Sequence, residues 1–346
     1  MAIQVQLYDT ATLLGVMRQL EPVSSYWLDL CFPYAVNFED EYIDFEKIVE
    51  GRKIAPFVAP MSQGVPIYSE KSEVTRLKPG YIKLKDPVSP NRLMKKSAAT
   101  GGVLATSGNP ASRFNAIIGD IQRTHRNAIY RREEWLAAQA VIHGKVTISG
   151  ENYPERQVDF KRAANHTVDL SASPWTTSSD IIGDIEVWRT RARRAKFGGP
   201  INRVTVGADA WDVMRKNTGL LAQLDTEMRG TEANFKTGIM EGEEVEFVGY
   251  IGGTLPVYVY SGYYEDASGT AVEYMSAKDV ILTGPNVMGH RCYGAILDHK
   301  AGYQATSVFS KMWENEDPSV VYVMNQSSSL MVPVNPNNTL RATVLA

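Results

Sequence analysis

Residues 109–144 read NPASRFNAIIGDIQRTHRNAIYRREEWLAAQAVIHG, and this stretch decides the architecture. Asn109 supplies a capping side chain, and Pro110 suits the first helical position, where its missing N–H is not needed. Phe114, Ile118, Ile121, Ala128, Trp135 and Ile142 recur at spacings built from threes and fours, which lines them along one helical face. Arg123, Arg126, Arg131, Arg132, Glu133 and Glu134 are expected on the polar faces. Gly144 suits the end, because glycine accepts the left-handed conformation that closes a helix. The pattern predicts one helix over about 110–143, roughly 50 Å long at the usual rise per residue. Such a helix must lie across something broad or bridge separate parts of the molecule.

Upstream of it, residues 97–108 (SAATGGVLATSG) are nearly all small, and read as a hinge centred on Gly101 and Gly102. Residues 52–96 form an extended excursion. KIAPFVAP is β-like but broken by Pro56 and Pro60, SQGVPIYSEKS is rich in turn residues, and EVTRLKPGYIKLKDPV is extended again. In the last of these Ile82 and Leu84 alternate with Lys83 and Lys85, and Pro79-Gly80 suits a turn or bulge. With few large apolar residues, the excursion builds little core of its own, and loops of this length are uncommon unless functional or disordered. Arg52, Lys71, Arg76, Lys78, Lys83 and Lys85 make it basic without a stacking aromatic array, so an acidic protein surface suits it better than nucleic acid. Nearer the start, Thr12–Leu20 suits a short helix, and residues 23–50 mix aromatic and acidic residues without clear period. Nine of the seventeen prolines lie in residues 1–110, which argues against long helices and central strands there.

Downstream, KVTISGENYPERQVDF predicts a β-hairpin with its turn at Gly150–Pro154. Asp180–Lys196 predicts a second amphipathic helix, with Ile181, Ile185 and Trp188 inward and four arginines near its C-terminal end, where they suit the helix dipole. Residues 201–310 alternate short strands with helices near 208–228. The C-terminal stretch returns to strands, with turns expected at Ser327–Ser329 and Asn335–Asn338.

The composition excludes more than it selects. The chain has 346 residues, 44% of them hydrophobic, and 36 Lys and Arg against 39 Asp and Glu give a net charge of −3. That is too apolar for a disordered chain and too evenly charged for a polyanion-coating protein. Length suggests about two domains. Cys31 and Cys292 are far apart and form no ligand spacing, so a reducing compartment fits. Neither a signal-peptide pattern nor an apolar run long enough to span a membrane is found, and a soluble cytoplasmic protein is expected. The five histidines form no metal motif, and phosphate-binding glycine loops and nucleophile elbows are absent. The nearest constellation is His290, Cys292, Asp298 and His299, which has the chemistry of a soft metal site or a Cys/His nucleophile pair. Cys292, however, sits in the strand-like RCYGAIL on one face with Gly294 and Ile296, which favours a buried structural cysteine. The sequence therefore presents no catalytic site, no metal site and no cofactor site.

The order of arm, extended loop, long helix, α/β region and closing strands resembles the phage major capsid protein E family, the major capsid proteins of lambda-like tailed bacteriophages. The residues that carry the resemblance are PGYIKLKDPVSPNRLMKK (79–96), AVIHGKVTISGENYPERQVDF (140–160), VYSGYYEDASGTAVEYMSAKDVILTG (259–284), RCYGAILD (291–298) and the block from Met312 to Ala346. The resemblance implies an α+β chain with the tailed-phage capsid fold of the Hong Kong 97 type. On that reading residues 1–50 are an N-terminal arm and 51–96 an E-loop reaching onto neighbouring subunits, with the six basic residues named above at inter-subunit contacts. Residues 97–200 hold the hinge, the spine helix and the first part of a peripheral P-domain. Residues 201–310 form an axial A-domain, and 311–346 complete the P-domain. The implied function is structural: pentamers and hexamers of an icosahedral shell around double-stranded DNA, without sequence-specific binding and without a membrane. Implied partners are other copies of the chain, a scaffolding protein, a portal protein and a decoration protein. The implied location is the virion capsid, assembled in the bacterial host cytoplasm. Two alternatives are an encapsulin-type compartment shell and a small α/β enzyme using His290, Cys292 and His299.

Overall fold

A computed structural model of the chain describes residues 25–40, 42–49, 71–88, 110–150, 153–223, 244–266, 268–317 and 319–346. The helix expected at 12–20, Arg52 and the hinge with Gly101 and Gly102 lie outside the described residues. The N-terminal part holds helix α1 (Tyr26–Cys31) and strands β1 (Tyr34–Asn37), β2 (Ile43–Val49), β3 (Lys71–Leu77) and β4 (Gly80–Val88). Next come helix α2 (Pro110–His143), β5 (Lys145–Gly150), β6 (Tyr153–Asp159), β7 (Thr167–Asp169) and helix α3 (Ile181–Arg194). Strand β8 (Arg203–Val206), helices α4 (Ala208–Met214) and α5 (Thr218–Gln223), and strands β9 (Val245–Ile251), β10 (Leu255–Tyr260), β11 (Tyr263–Glu265), β12 (Ala271–Glu273) and β13 (Asp279–Thr283) follow. The chain closes with β14 (His290–Tyr293), β15 (Phe309–Asn315), β16 (Val320–Val332) and β17 (Thr339–Thr343).

The long helix has the predicted ends. At its C-terminus Gly144 adopts φ +68°, and the Arg162 guanidinium donates to the carbonyls of Val141 (2.8 Å) and Ile142 (2.9 Å), two groups that the helix itself leaves unpaired. Its polar faces differ from expectation: Glu133 and Glu134 are buried, because the last turns of α2 are enclosed on several sides by α1 and two sheets. The hairpin β5–β6 and helix α3 also form as expected, and Asp180 caps α3 by accepting from the Gly183 N–H at 2.9 Å.

Strand β16 runs through the middle of a five-stranded sheet. One edge pairs with β15 along 320–326 and with β14 along 329–332, and the other edge pairs with β4 along 321–329. The turn expected at Ser327–Ser329 is therefore strand. Serine is a common turn residue, but here three buried serines leave room for neighbouring elements while their backbone groups serve the ladder. Helix α2 crosses one face, packing Phe114, Ile118 and Ile121 on Val88, Met312, Val321 and Val323. Beside this apolar patch is a buried polar one. The Asn325 amide donates to Gln122 Oε1 (2.9 Å) and to His125 Nδ1 (3.1 Å), and accepts from the Ser310 hydroxyl. With Nδ1 accepting, the proton of His125 sits on Nε2, 3.2 Å from an Asp86 oxygen. Directional bonds of this kind fix how the helix sits on the sheet.

The second sheet has the order β7-β17-β13-β8-β10-β9. On one face Ile181, Ile185, Trp188 and Ala192 of α3 meet Val204, Val206, Val257, Val280, Leu282, Leu340 and Ala342. On the other, Ile281 faces Trp27 and Leu28 of α1 and the end of α2. Each large apolar side chain so buried contributes about 1.5–3 kcal/mol. The C-terminal strand β17 lies inside this sheet, and β14 belongs to the first one. Strands remote in sequence thus close both sheets.

Ser328→Pro tests the strand directly. A turn would accept proline, whereas a strand paired on both edges loses a ladder bond and meets the ring's bulk. The expected result is loss of cooperative thermal unfolding and of soluble yield, read by circular dichroism.

Candidate assembly surface

The N-terminal segment is held on the body by a few directional contacts. Both carboxylate oxygens of Glu134 accept backbone N–H groups of α1, from Trp27 at 2.8 Å and Leu28 at 3.0 Å. These are among the donors that a helix start leaves without partners, so α2 supplies the cap of α1. At the other end Arg291 donates from Nε to the Phe32 carbonyl (2.7 Å) and from Nη2 to Asp29 (2.8 Å). The Gly289 N–H donates to the Cys31 carbonyl at 2.8 Å, and a Cβ at Gly289 would meet the Phe32 ring at 2.3 Å. Strand β1 then adds in parallel to β14, and the Tyr26 ring stacks on Tyr260 at 5.2 Å. Burial pushes the carboxyls of both Glu133 and Glu134 up to about 7, against the pull of Arg291 and, for Glu134, of the two amides. The sequence reading missed Glu134, Arg291 and Trp27. The available signal was two adjacent carboxylates where the apolar stripe of α2 broadens.

The segment expected to reach outward divides in two. Among the described residues strands β2 and β3 pair only with each other, through seven register positions, while β4 is part of the five-stranded sheet. Lys71 and Arg76 lie on β3. Lys78 has its Nζ 5.4 Å from the Tyr42 ring. Lys83 and Lys85 are exposed on β4. The Lys85 Nζ stands 3.9 Å over the Tyr322 ring and 5.3 Å from Trp313, which stacks on Tyr322 at 5.4 Å. Lys311 joins the same face, over Trp313 at 5.5 Å and paired with Asp298. The structure thus brings Lys83 and Lys85 together on a sheet face and sets Lys78 apart, toward the ribbon.

The constellation at 290–299 does not assemble into a reactive site. Strand β14 ends at Tyr293, and Cys292 is fully buried among Ile43, Leu330 and Val332, its thiol pushed up to about 12 by burial. A nucleophilic or ligating cysteine needs an accessible thiolate. The His290 ring lies 5.5 Å from that of Tyr34. Asp298 caps the turn at His299 by accepting from the Lys300 N–H (3.0 Å), and also binds Lys311 and Gln326. Among the described residues no three potential ligands gather into a metal-binding group. None of their helices is long and apolar enough to cross a membrane.

Two sheets crossed by a long helix, with the β2–β3 ribbon paired to neither among the described residues, form an arrangement also found in solved structures. The capsid of cyanophage P-SCSP1u shares the fold, with a TM-score of 0.52 at 8% identity over 94% of this chain and 89% of that one. A crystal structure of a prophage capsid protein from Escherichia coli CFT073 matches with a TM-score of 0.75 and 25% identity, covering 99% of this chain and 100% of the other. The chain belongs to the family described as Phage major capsid protein E, whose sequence pattern matches residues 9–344. Among its relatives, the major capsid protein of Enterobacteria phage P21 is 29% identical over 341 residues, 96% of this chain and 97% of that protein. The major capsid protein of Escherichia phage lambda is 27% identical over 343 residues, 96% and 98% of the two chains.

The raised carboxyl of Glu134 gives a pH dependence of known sign. In the folded state it keeps its proton to about 7, against 4.5 ordinarily, so folding takes up a proton between these values. Stability from this group is complete below about 4.5 and falls as pH rises to about 7. Burial lowers the imidazole pKa of His125, His143 and His166, which gives the opposite slope, so the difference from a variant is the clean readout. The stability of wild type minus that of Glu134→Gln should decrease from pH 5 to pH 7 and level off above, in urea titrations followed by tryptophan fluorescence.

Proposed function

We propose that this chain is the structural subunit of an icosahedral phage shell, self-assembling as pentamers and hexamers around double-stranded DNA and acting without catalysis. The observation that carries the reading is the family match over residues 9–344, with relatives aligned over nearly their full length. The β2–β3 ribbon supports it physically. A two-stranded ribbon is at best marginally stable alone, and packing against neighbouring copies is what would stabilise it. Basic residues on β3 and β4, and Arg52, Lys71, Arg76, Lys78, Lys83 and Lys85 as a set, would face those copies. A near-neutral chain suits a container that must not hold its genome through counterion release. Small residues around Gly101 and Gly102 would absorb the angular difference between five- and six-membered rings. Residues 1–50, 51–96, 97–200, 201–310 and 311–346 would serve as arm, loop, spine with first peripheral part, axial domain and second peripheral part. Assembly would take place in the bacterial host cytoplasm, with a scaffolding protein, a portal protein and a decoration protein as partners. Among the described residues no feature favours the encapsulin-type alternative.

The direct test is purification with and without a scaffolding protein, followed by negative-stain electron microscopy. Rings or closed shells are expected, and monomers or small closed oligomers under every condition would overturn the reading. Replacing residues 53–68 by a Gly-Ser linker of equal length should leave thermal unfolding unchanged and abolish shells.

A further inference from the structure

Resting on the shell reading, we propose that neighbouring copies in a ring join head to tail by charge, the outer face of α3 on one copy receiving the acidic end of the β9 edge on the next. Helix α3 lies over the β17 end of the six-stranded sheet, its apolar side turned inward. Its outer side forms a shallow groove lined by Glu186, Val187, Thr190, Arg191 and Arg194. Val187 is 56% exposed in the middle of it. Arg189 pairs with Glu186, and Arg191 donates to the Asn165 carbonyl at 2.7 Å. Arg193, Arg194 and Lys196 are exposed at the helix end.

The other end of the sheet carries the opposite pattern. Strand β9 is an edge strand whose outer backbone groups have no partner strand among the described residues. Glu244 and Glu246 are exposed there, and Glu265 and Asp266 stand beside Glu244 along one groove whose other wall carries Arg131 and Arg132 of α2. Tyr263 is 54% exposed among them. The α3 surface thus sets Val187 among an excess of arginines, and the β9 edge sets Tyr263 beside four carboxylates (Glu244, Glu246, Glu265 and Asp266) with Arg131 and Arg132 behind them.

Between β17 and β9 the order β17-β13-β8-β10-β9 leaves four strand spacings, about 19 Å at the usual strand separation. One chain cannot bring its own two surfaces together. A twofold pair would join the two surfaces only if both lay on one shared interface, and they lie at opposite ends of the sheet. A heterologous, head-to-tail contact uses one surface of each kind per joint, and contacts of that kind close into rings when repeated with a fixed rotation. Opposite charge would also steer the encounter and make it sensitive to salt.

The test is a charge exchange at exposed positions. Variants Arg193→Glu/Arg194→Glu and Glu246→Lys/Glu265→Lys, and their four-site combination, are compared with wild type by sedimentation velocity and negative-stain microscopy, with thermal unfolding as the folding control. Each two-site variant should unfold like wild type and lower the assembled fraction at least about tenfold, and the combination should restore it. Two-site variants that assemble normally, or a folded combination that does not recover, overturn the pairing while leaving the shell reading intact. Wild type and every variant remaining monomeric in all conditions overturns the shell reading, and this pairing with it.

Discussion

Helix α2 lies across strand β16, and the other elements take their positions from that contact. Apolar side chains supply most of the attraction, but they are tolerant of sliding. The buried group of Gln122, His125, Asn325 and Ser310 is not, because each bond in it has one geometry and the amide of Asn325 is used on both its atoms. Strand β16 in turn has neighbours on both edges for most of its thirteen residues, so its register sets those of β4, β14 and β15.

From that crossing the N-terminal segment and the second sheet are placed in turn. The far end of α2 carries Glu134, which holds the start of α1, and α1 fills the space between α2 and the inner face of the six-stranded sheet. Trp27 and Leu28, both fully buried, thereby connect an N-terminal segment to strands more than two hundred residues later in the chain. A carboxyl in that position is held against its preference for water, and its protonation is coupled to the seating of the segment. The charges left at the surface are distributed by the same architecture: arginines collect at the end of α3 and carboxylates at the β9 edge because the sheet separates them.

Much of the chain was readable residue by residue. Local rules placed α2, α3 and the β5–β6 hairpin, since each depends on capping and periodicity within a single segment. The family resemblance was readable for a different reason: matching stretches run in order from Pro79 to Ala346. The errors also have physical causes. Ser327–Ser329 has turn residues but lies in a strand, because pairing on two edges outweighs local preference. Glu133 and Glu134 have surface chemistry but lie inside, because partners distant in sequence supply amides and a tyrosine hydroxyl. The cluster at 290–299 is a different case: its residue types are reactive, but the strand-like alternation already favoured a buried Cys292, and the structure puts Cys292 in the core and Asp298 at a turn cap.

The sequence by itself determined the helices, the hairpin, the basic character of the extended segment and the family, because these depend on short-range pattern or on matches along the chain. Only the tertiary structure decided that β17 closes the sheet of β8 and β13, that α2 caps α1, and that opposite charges occupy opposite ends of one sheet. Those outcomes depend on which distant segments share a surface, and no spacing within a segment encodes them.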